Sequence, residues 1–167
     1  MSSTARPALT LVAIQEWLRE DLERVEARMR AIPLTVEPLK VAVHHLLNAG
    51  GKRIRPMLVL LTGRLYGQAD ERMVSLAAAV EMLHTATLVH DDLIDGALLR
   101  RGIPTLNAIW TPAATVLTGD YLFAYAAALA ARTDHVRVMA IFARTLMTIC
   151  EGELRQQFSD PEAMWQR

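Results

Sequence analysis

The stretch Leu83–Thr105, LHTATLVHDDLIDGALLRRGIPT, limits what this chain can fold into more than any other. Asp91 and Asp95 stand four residues apart, so on a helix their carboxylates share one face, with Asp92 about 100° round it. The residues before them are mostly Ala, Leu, Thr and Val, and adjacent acids on such an apolar helix repel each other and resist burial unless a cation joins them. Carboxylate oxygens are hard ligands, and no Cys or clustered His accompanies them to favour zinc. Mg²⁺ is therefore the expected ion, held by few carboxylates and completed by phosphate oxygens and water. Arg100 and Arg101 follow at once, and a metal beside guanidiniums points to a ligand that carries phosphates.

The rest of the chain reads as helices that would surround this one. Leu11, Ile14, Leu18, Leu22, Val25 and Met29 recur at three- and four-residue steps and predict one amphipathic helix ending before Pro33. A second helix is expected from near Pro38 to Gly50-Gly51, and a third from Pro56 to near Gly67. Asp70 is placed to cap a long helix running through Leu76, Val80, Leu83 and Thr87 to Asp95. Thr111-Pro112 is a cap-plus-proline start, and Asp134 a further cap. No run alternates with period two between turn signals, so no sheet is expected. The fold class is all-α, an antiparallel helical bundle in one domain. Its parts are an N-terminal helix (1–33), a motif-bearing bundle (34–160) and an interrupted helix start (161–167).

Bulk properties exclude several functions. With 18 basic and 18 acidic residues the formal net charge is zero, so there is no nucleic-acid footprint and any phosphate site must be local. Cys150 is the only cysteine, which excludes an internal disulfide and fits a reducing cytoplasm. The opening MSSTARPALTLVAIQEW lacks a basic leader followed by a long apolar run. Ala113–Ala131 is nearly all apolar and close to a membrane span in length, yet Asp120 in its middle would be costly in lipid. A buried core helix and no transmembrane segment are expected.

A second motif, Gly50-Gly51-Lys52-Arg53-Ile54-Arg55-Pro56, brings three cations in four residues after two glycines, just before a helix start. That is the composition of an anion site, with Lys52 a compact charge and Arg55 a bidentate fork. His84 lies seven residues before Asp91, two helical turns along the same face, so it is expected to point to the same cavity. His90 falls on a different azimuth and reads as structural. His44, His45 and His135 show no partner and read as surface or interface.

Taken together, GGKRIRP at 50–56, HDDLID at 90–95, RRGIPT at 100–105, Gly119-Asp120 and GELRQ at 152–156 resemble, in this order, the trans-type polyprenyl diphosphate synthases. The resemblance runs from about Leu39 to Asp160. It implies a prenyltransferase that extends an allylic diphosphate with isopentenyl diphosphate. It implies that Lys52, Arg55, His84 and Arg101 hold the diphosphate of isopentenyl diphosphate, and that Asp91 and Asp95 ligate Mg²⁺ bridging to the allylic diphosphate. Arg100 would grip that diphosphate, Asp92 would help the metal cluster, and Gln156 would lie near the allylic substrate. Ionisation of the allylic C–O bond would leave a carbocation for the double bond of isopentenyl diphosphate to attack, within helix walls that keep water out. In this family bulky aromatics about one turn below the acids stop elongation early. Ala86 and Thr87 are small here, so an open tunnel and a product longer than C15 are expected.

The chain departs from the family in length. Members are about twice as long, and their second half brings a second aspartate-rich motif that has no match after Asp120 here. Asp160-Pro161 is a helix start that Arg167 leaves short of two turns, so an N-terminal portion of a longer synthase is expected. Apolar faces shaped for absent helices would then drive association, giving a homodimer or higher oligomer, in one form by helix swapping. The alternative to an elongating enzyme is a catalytically inactive truncated chain, or a small regulatory subunit that binds a full-length synthase.

Overall fold

The computed structural model describes residues 10–159. Among them are eight helices and one short hairpin, in the order α1 (Leu11–Trp17), α2 (Arg19–Arg30), α3 (Glu37–Asn48), α4 (Ile54–Leu65), α5 (Glu71–Ile94), β1 (Leu99–Arg100), β2 (Ile103–Pro104), α6 (Leu106–Ile109), α7 (Pro112–Ala131) and α8 (Val136–Gln157). The all-α expectation holds, with a two-residue-deep antiparallel hairpin as the exception to the absence of sheet. The helix start expected at Asp160-Pro161 lies outside the described residues.

Local signals account for most boundaries. Asp70 accepts hydrogen bonds from the backbone N–H groups of Arg72 and Met73, as a side chain at a helix start should, and the helix it caps runs unbroken to the DDLID acids. Thr111 does the same for Ala114, with Pro112 in the first turn of α7. Three expectations shift. The helix predicted from Leu11 to Met29 breaks at Leu18, whose backbone leaves the helical region (φ −100°, ψ 6°) while its side chain is fully buried. α4 starts at Ile54, with Pro56 inside its first turn. Asp134 takes a left-handed conformation (φ 52°), so the cap position of α8 passes to His135, which makes no side-chain capping bond.

α5 is the central helix. It packs most extensively against α7 and also against α2 and α4. Ala77, Ala78, Ala79 and Ala86 on α5 and Ala126 and Ala130 on α7 are almost wholly buried, and their small side chains let the two backbones approach. Met82, Leu122 and Leu129 fill the space between, all fully buried. Both α5 and α7 are long and apolar enough to cross a membrane, but that length and composition equally make a protein core, and here each packs against the other. Asp120 is exposed on α7.

Packing thins at one end. α8 buries only Phe142 fully, while Val136, Ile141, Met147 and Leu154 stay exposed, as do Phe158 just after it and Leu117 on α7.

Candidate active site

Two glycines and a left-handed arginine shape the first half of the site. Gly50 (φ 67°) and Arg53 (φ 50°) both take the conformation that L residues avoid, and together they turn the chain from α3 into α4. Lys52 and Arg55 are exposed on this turn, and among the described residues neither makes a salt bridge or a side-chain hydrogen bond. Arg53, between them, behaves differently. It is largely buried and forms ion pairs with Glu26 of α2 and, at 3.0 Å, with Glu81 of α5.

The hairpin supplies the facing cations. Leu99 pairs with Pro104 and Arg100 with Ile103, leaving Arg101-Gly102 as a two-residue loop with both φ values positive (52° and 79°), the geometry of a type I′ turn. The Thr105 hydroxyl donates to the Ala97 carbonyl at 2.7 Å, and the His45 ring meets the Pro104 carbonyl at 2.7 Å. This corrects the reading of His45 as a histidine without a partner: it ties the hairpin to α3. Arg100 reaches back to α5 and donates from Nε and Nη2 to the Asp92 carboxylate at 2.8 and 2.7 Å. Arg101 extends from the tip and donates to the Gly50 carbonyl at 3.4 Å.

These elements enclose a cavity of about 590 Å³ whose wall includes Lys52, Arg55, His84, Asp92, Arg100 and Arg101. The structure thus brings together the four residues expected to hold one diphosphate. It depresses the basicity of His84, first because the ring is half-buried and then because Arg55, Arg100 and Arg101 lie near, with Glu81 working the other way.

The carboxylates divide. Asp92 is buried on the cavity wall and neutralised by Arg100. Asp91 lies on the flank toward α8, and its carboxyl is held above the usual range by burial, then by Glu153, then by Asp95, against the pull of Arg100. His84 and Asp91 therefore share a helix but not a cavity wall, since the lining stripe runs through Glu81, His84, Thr85, Leu88 and Asp92. Glu153 is the acid of GELRQ that sequence reading passed over in favour of Gln156, which is exposed on α8 away from the basic pocket. Asp95 is exposed at the end of α5.

The donor set suits a divalent cation only with help. Among the described residues no three His, Cys, Asp or Glu side chains converge on one point. Asp91 and Asp95, with mutual repulsion still unrelieved, could fill part of the shell of a hard ion that takes its remaining oxygens from phosphate and water. The residues present fit a divalent cation bound in that way.

The His90 ring connects α5 to α7. Its ring lies 3.2 Å from the Val116 carbonyl and 3.4 Å from Asp120, and is tilted against Phe123 with 5.2 Å between ring centres. The two positions expected to gate chain length separate as well. Ala86 is fully buried in the core, whereas Thr87 is half-buried and donates its hydroxyl to the His84 carbonyl at 2.8 Å.

Residues 36–166 match the model of the polyprenyl synthetase family. Heptaprenyl diphosphate synthase component 2 of Geobacillus stearothermophilus is 46% identical over 150 residues, which are 89% of this chain and 47% of that protein. Among solved structures, a decaprenyl diphosphate synthase from Rhodobacter capsulatus superposes with a TM-score of 0.85 at 42% identity, covering 89% of this chain and 46% of that one. A polyprenyl synthase from Caulobacter crescentus CB15, complexed with calcium and isoprenyl diphosphate, gives 0.84 at 37% identity, covering 91% and 47%. The chain spans about half the length of these relatives. It belongs to the polyprenyl synthetase family.

Proposed function

We propose that this chain carries the diphosphate-binding half of a trans-prenyltransferase that condenses isopentenyl diphosphate with an allylic diphosphate to give products longer than C15. The observation that carries this is the cavity wall itself: Lys52 and Arg55, free of salt bridges among the described residues, line one cavity of about 590 Å³ together with Arg101 and with Asp92 of the acidic end of α5. Cations left without a protein anion cost less when a multivalent anion joins them. In this reading Lys52, Arg55, His84 and Arg101 bind the diphosphate of isopentenyl diphosphate. Arg100, held by Asp92, stands between that site and the acids and grips the allylic diphosphate. Mg²⁺ held by Asp91 and Asp95 would supply charge neutralisation to the departing diphosphate. Gln156 lies near the allylic substrate, and Ala86 and Thr87 lie beneath the acids at the chain-length gate. The working compartment is the cytoplasm, in keeping with the exposed thiol of Cys150.

Thermal melting tests the metal half. The carboxyl of Asp91 titrates above its unfolded-state value, so its ionisation costs stability. That cost is absent below the unfolded pKa and complete once the pH has risen past the folded one. At neutral pH, Asp91→Asn is therefore expected to melt higher than wild type in a chelator. Mg²⁺ with inorganic diphosphate should raise the wild-type melting temperature and leave that of Asp91→Asn nearly unchanged. A wild type indifferent to the pair would count against the assignment. Turnover is read separately, with labelled isopentenyl diphosphate, Mg²⁺ and geranyl or farnesyl diphosphate.

A second reading has its own support. A relative at 46% identity is named as component 2 of a heptaprenyl diphosphate synthase, and the exposed apolar residues of α8 form a face that another chain could cover. Binding without turnover, with activity appearing on addition of a full-length synthase, would favour a subunit over a self-sufficient enzyme. The same face leads us to expect a homodimer or higher oligomer. Light scattering at micromolar concentration should give at least twice the monomer mass, and a clean monomer would refute this.

A further inference from the structure

Arg53 stands between the two residues assigned to the ligand, yet the structure spends it elsewhere. Its side chain is 15% exposed, its Nε is taken by Glu26, and its Nη1 donates to Glu81 Oε1 at 3.0 Å. Its backbone is left-handed, a conformation that is strained for an arginine and persists only where the surroundings enforce it. The enforcing contacts come from three helices. Gln15 of α1 donates to the Lys52 carbonyl at 3.2 Å, α2 contributes Glu26, and α5 contributes Glu81. Glu81 is itself anomalous. It is 6% exposed, it lines a cavity of cations, and its Oε2 is buried without a hydrogen-bond partner. A carboxylate on the wall of an anion pocket opposes the ligand unless it does something else.

We propose that Glu26, Arg53 and Glu81 form a positioning clamp. Arg53 touches no ligand, and the two glutamates hold its guanidinium so that the left-handed turn presents Lys52 on one side and Arg55 on the other to the diphosphate. The proposal rests on the diphosphate reading of the pocket and goes beyond it, because it assigns a structural purpose to two acids and an arginine that pocket chemistry alone would misassign. The positions agree with the roles. Residues 52 and 55 flank the turn with unpaired charges, and the cation on the turn itself is neutralised by partners 27 and 28 residues away in sequence.

The two accounts of Arg53 predict opposite signs. If Arg53 were a third ligand, Glu81→Gln and Glu26→Gln would remove negative charge, release a guanidinium and tighten anion binding. If it is a clamp, both variants loosen binding although they make the pocket more positive. Titration calorimetry with inorganic diphosphate, well below the melting temperature of each variant, reads the sign directly. Lys52→Ala and Arg55→Ala should each weaken binding by on the order of tenfold, about 1.4 kcal/mol. Glu26→Gln, Glu81→Gln and Arg53→Lys should each weaken it by roughly three- to tenfold at unchanged helical circular dichroism. Hydrogen exchange of the peptide spanning residues 50–55 is the independent readout, and it should speed up in Glu81→Gln even without ligand. Tighter binding in either glutamate variant, or unchanged exchange at 50–55, overturns the clamp. Absence of binding by wild type would instead remove the diphosphate reading, while the exchange result still decides whether the turn is clamped.

Discussion

Ala86→Phe is expected to destabilise the protein by about 1–3 kcal/mol, whereas Thr87→Phe one position on should leave stability nearly unchanged. Ala86 is fully buried within the α5–α7 core, beside residues such as Met82, Leu122 and Ala126 that leave no solvent-exposed surface of their own. A phenyl ring there must force helices apart or push neighbours off their rotamers. Thr87 is half-buried, and its hydroxyl bonds only to the carbonyl of its own helix, so an aromatic can replace it with the loss of a single local bond. For a domain of this size each kcal/mol moves the melting temperature by about 2–4 °C, and calorimetry on the two variants separates them. The contrast bears on product length. If either position gates the tunnel, Thr87 is the one that can take a larger side chain without disturbing the core. Thr87→Phe in an active enzyme should then shorten the product, read by chromatography of the dephosphorylated alcohols. Equal melting temperatures for the two variants would show that the α5–α7 core yields at Ala86.

Gly119→Ala should destabilise by a similar amount for a different reason. A Cβ at Gly119 would lie 2.3 Å from His90 Nε2 and within 2.9 Å of two further ring atoms, distances that real side chains do not sustain. The ring cannot simply swing away, because it is held by the Val116 carbonyl, Asp120 and Phe123. Either α7 shifts from α5 or His90 gives up its contacts, and overpacking of this kind costs about 1–3 kcal/mol. Because His90 directly precedes Asp91, the strain should also reach the acidic end of α5. The double variant Gly119→Ala/His90→Ala removes the clash and should recover part of the lost stability, a non-additivity that marks direct contact. Simple additivity of the two single changes would refute the contact.

The match between chain and fold was legible wherever the signal was local. Asp70 and Thr111-Pro112 start their helices because a side-chain oxygen three residues or fewer from a free N–H needs no distant partner. Gly50-Gly51 ends α3 for an equally local reason. The break at Leu18 was not legible, since the amphipathic period runs through it unbroken and the residue departs from helical geometry at a site where it is fully buried. The hairpin at 99–104 also escaped notice, because two-residue strands are too short to show alternation and the turn uses an arginine, not the usual Asn or Gly, at its first left-handed position.

At the site the division follows the same line. Residue types and spacing alone determined that this chain has an acidic helix end, a basic turn and a pair of arginines, and from these came the expectation of a chemistry of cations and phosphates. The i, i+4 geometry of a helix and the donor preferences of carboxylate and guanidinium depend on nothing else. Only the tertiary structure decided how these charges are shared out: Asp92 to Arg100, Asp91 toward Glu153, Arg53 to Glu26 and Glu81, His45 to the hairpin, with Lys52 and Arg55 left without an anion among the described residues. Pairing depends on which helices meet and at what height, and a helical period records which face is apolar but not what will lie against it.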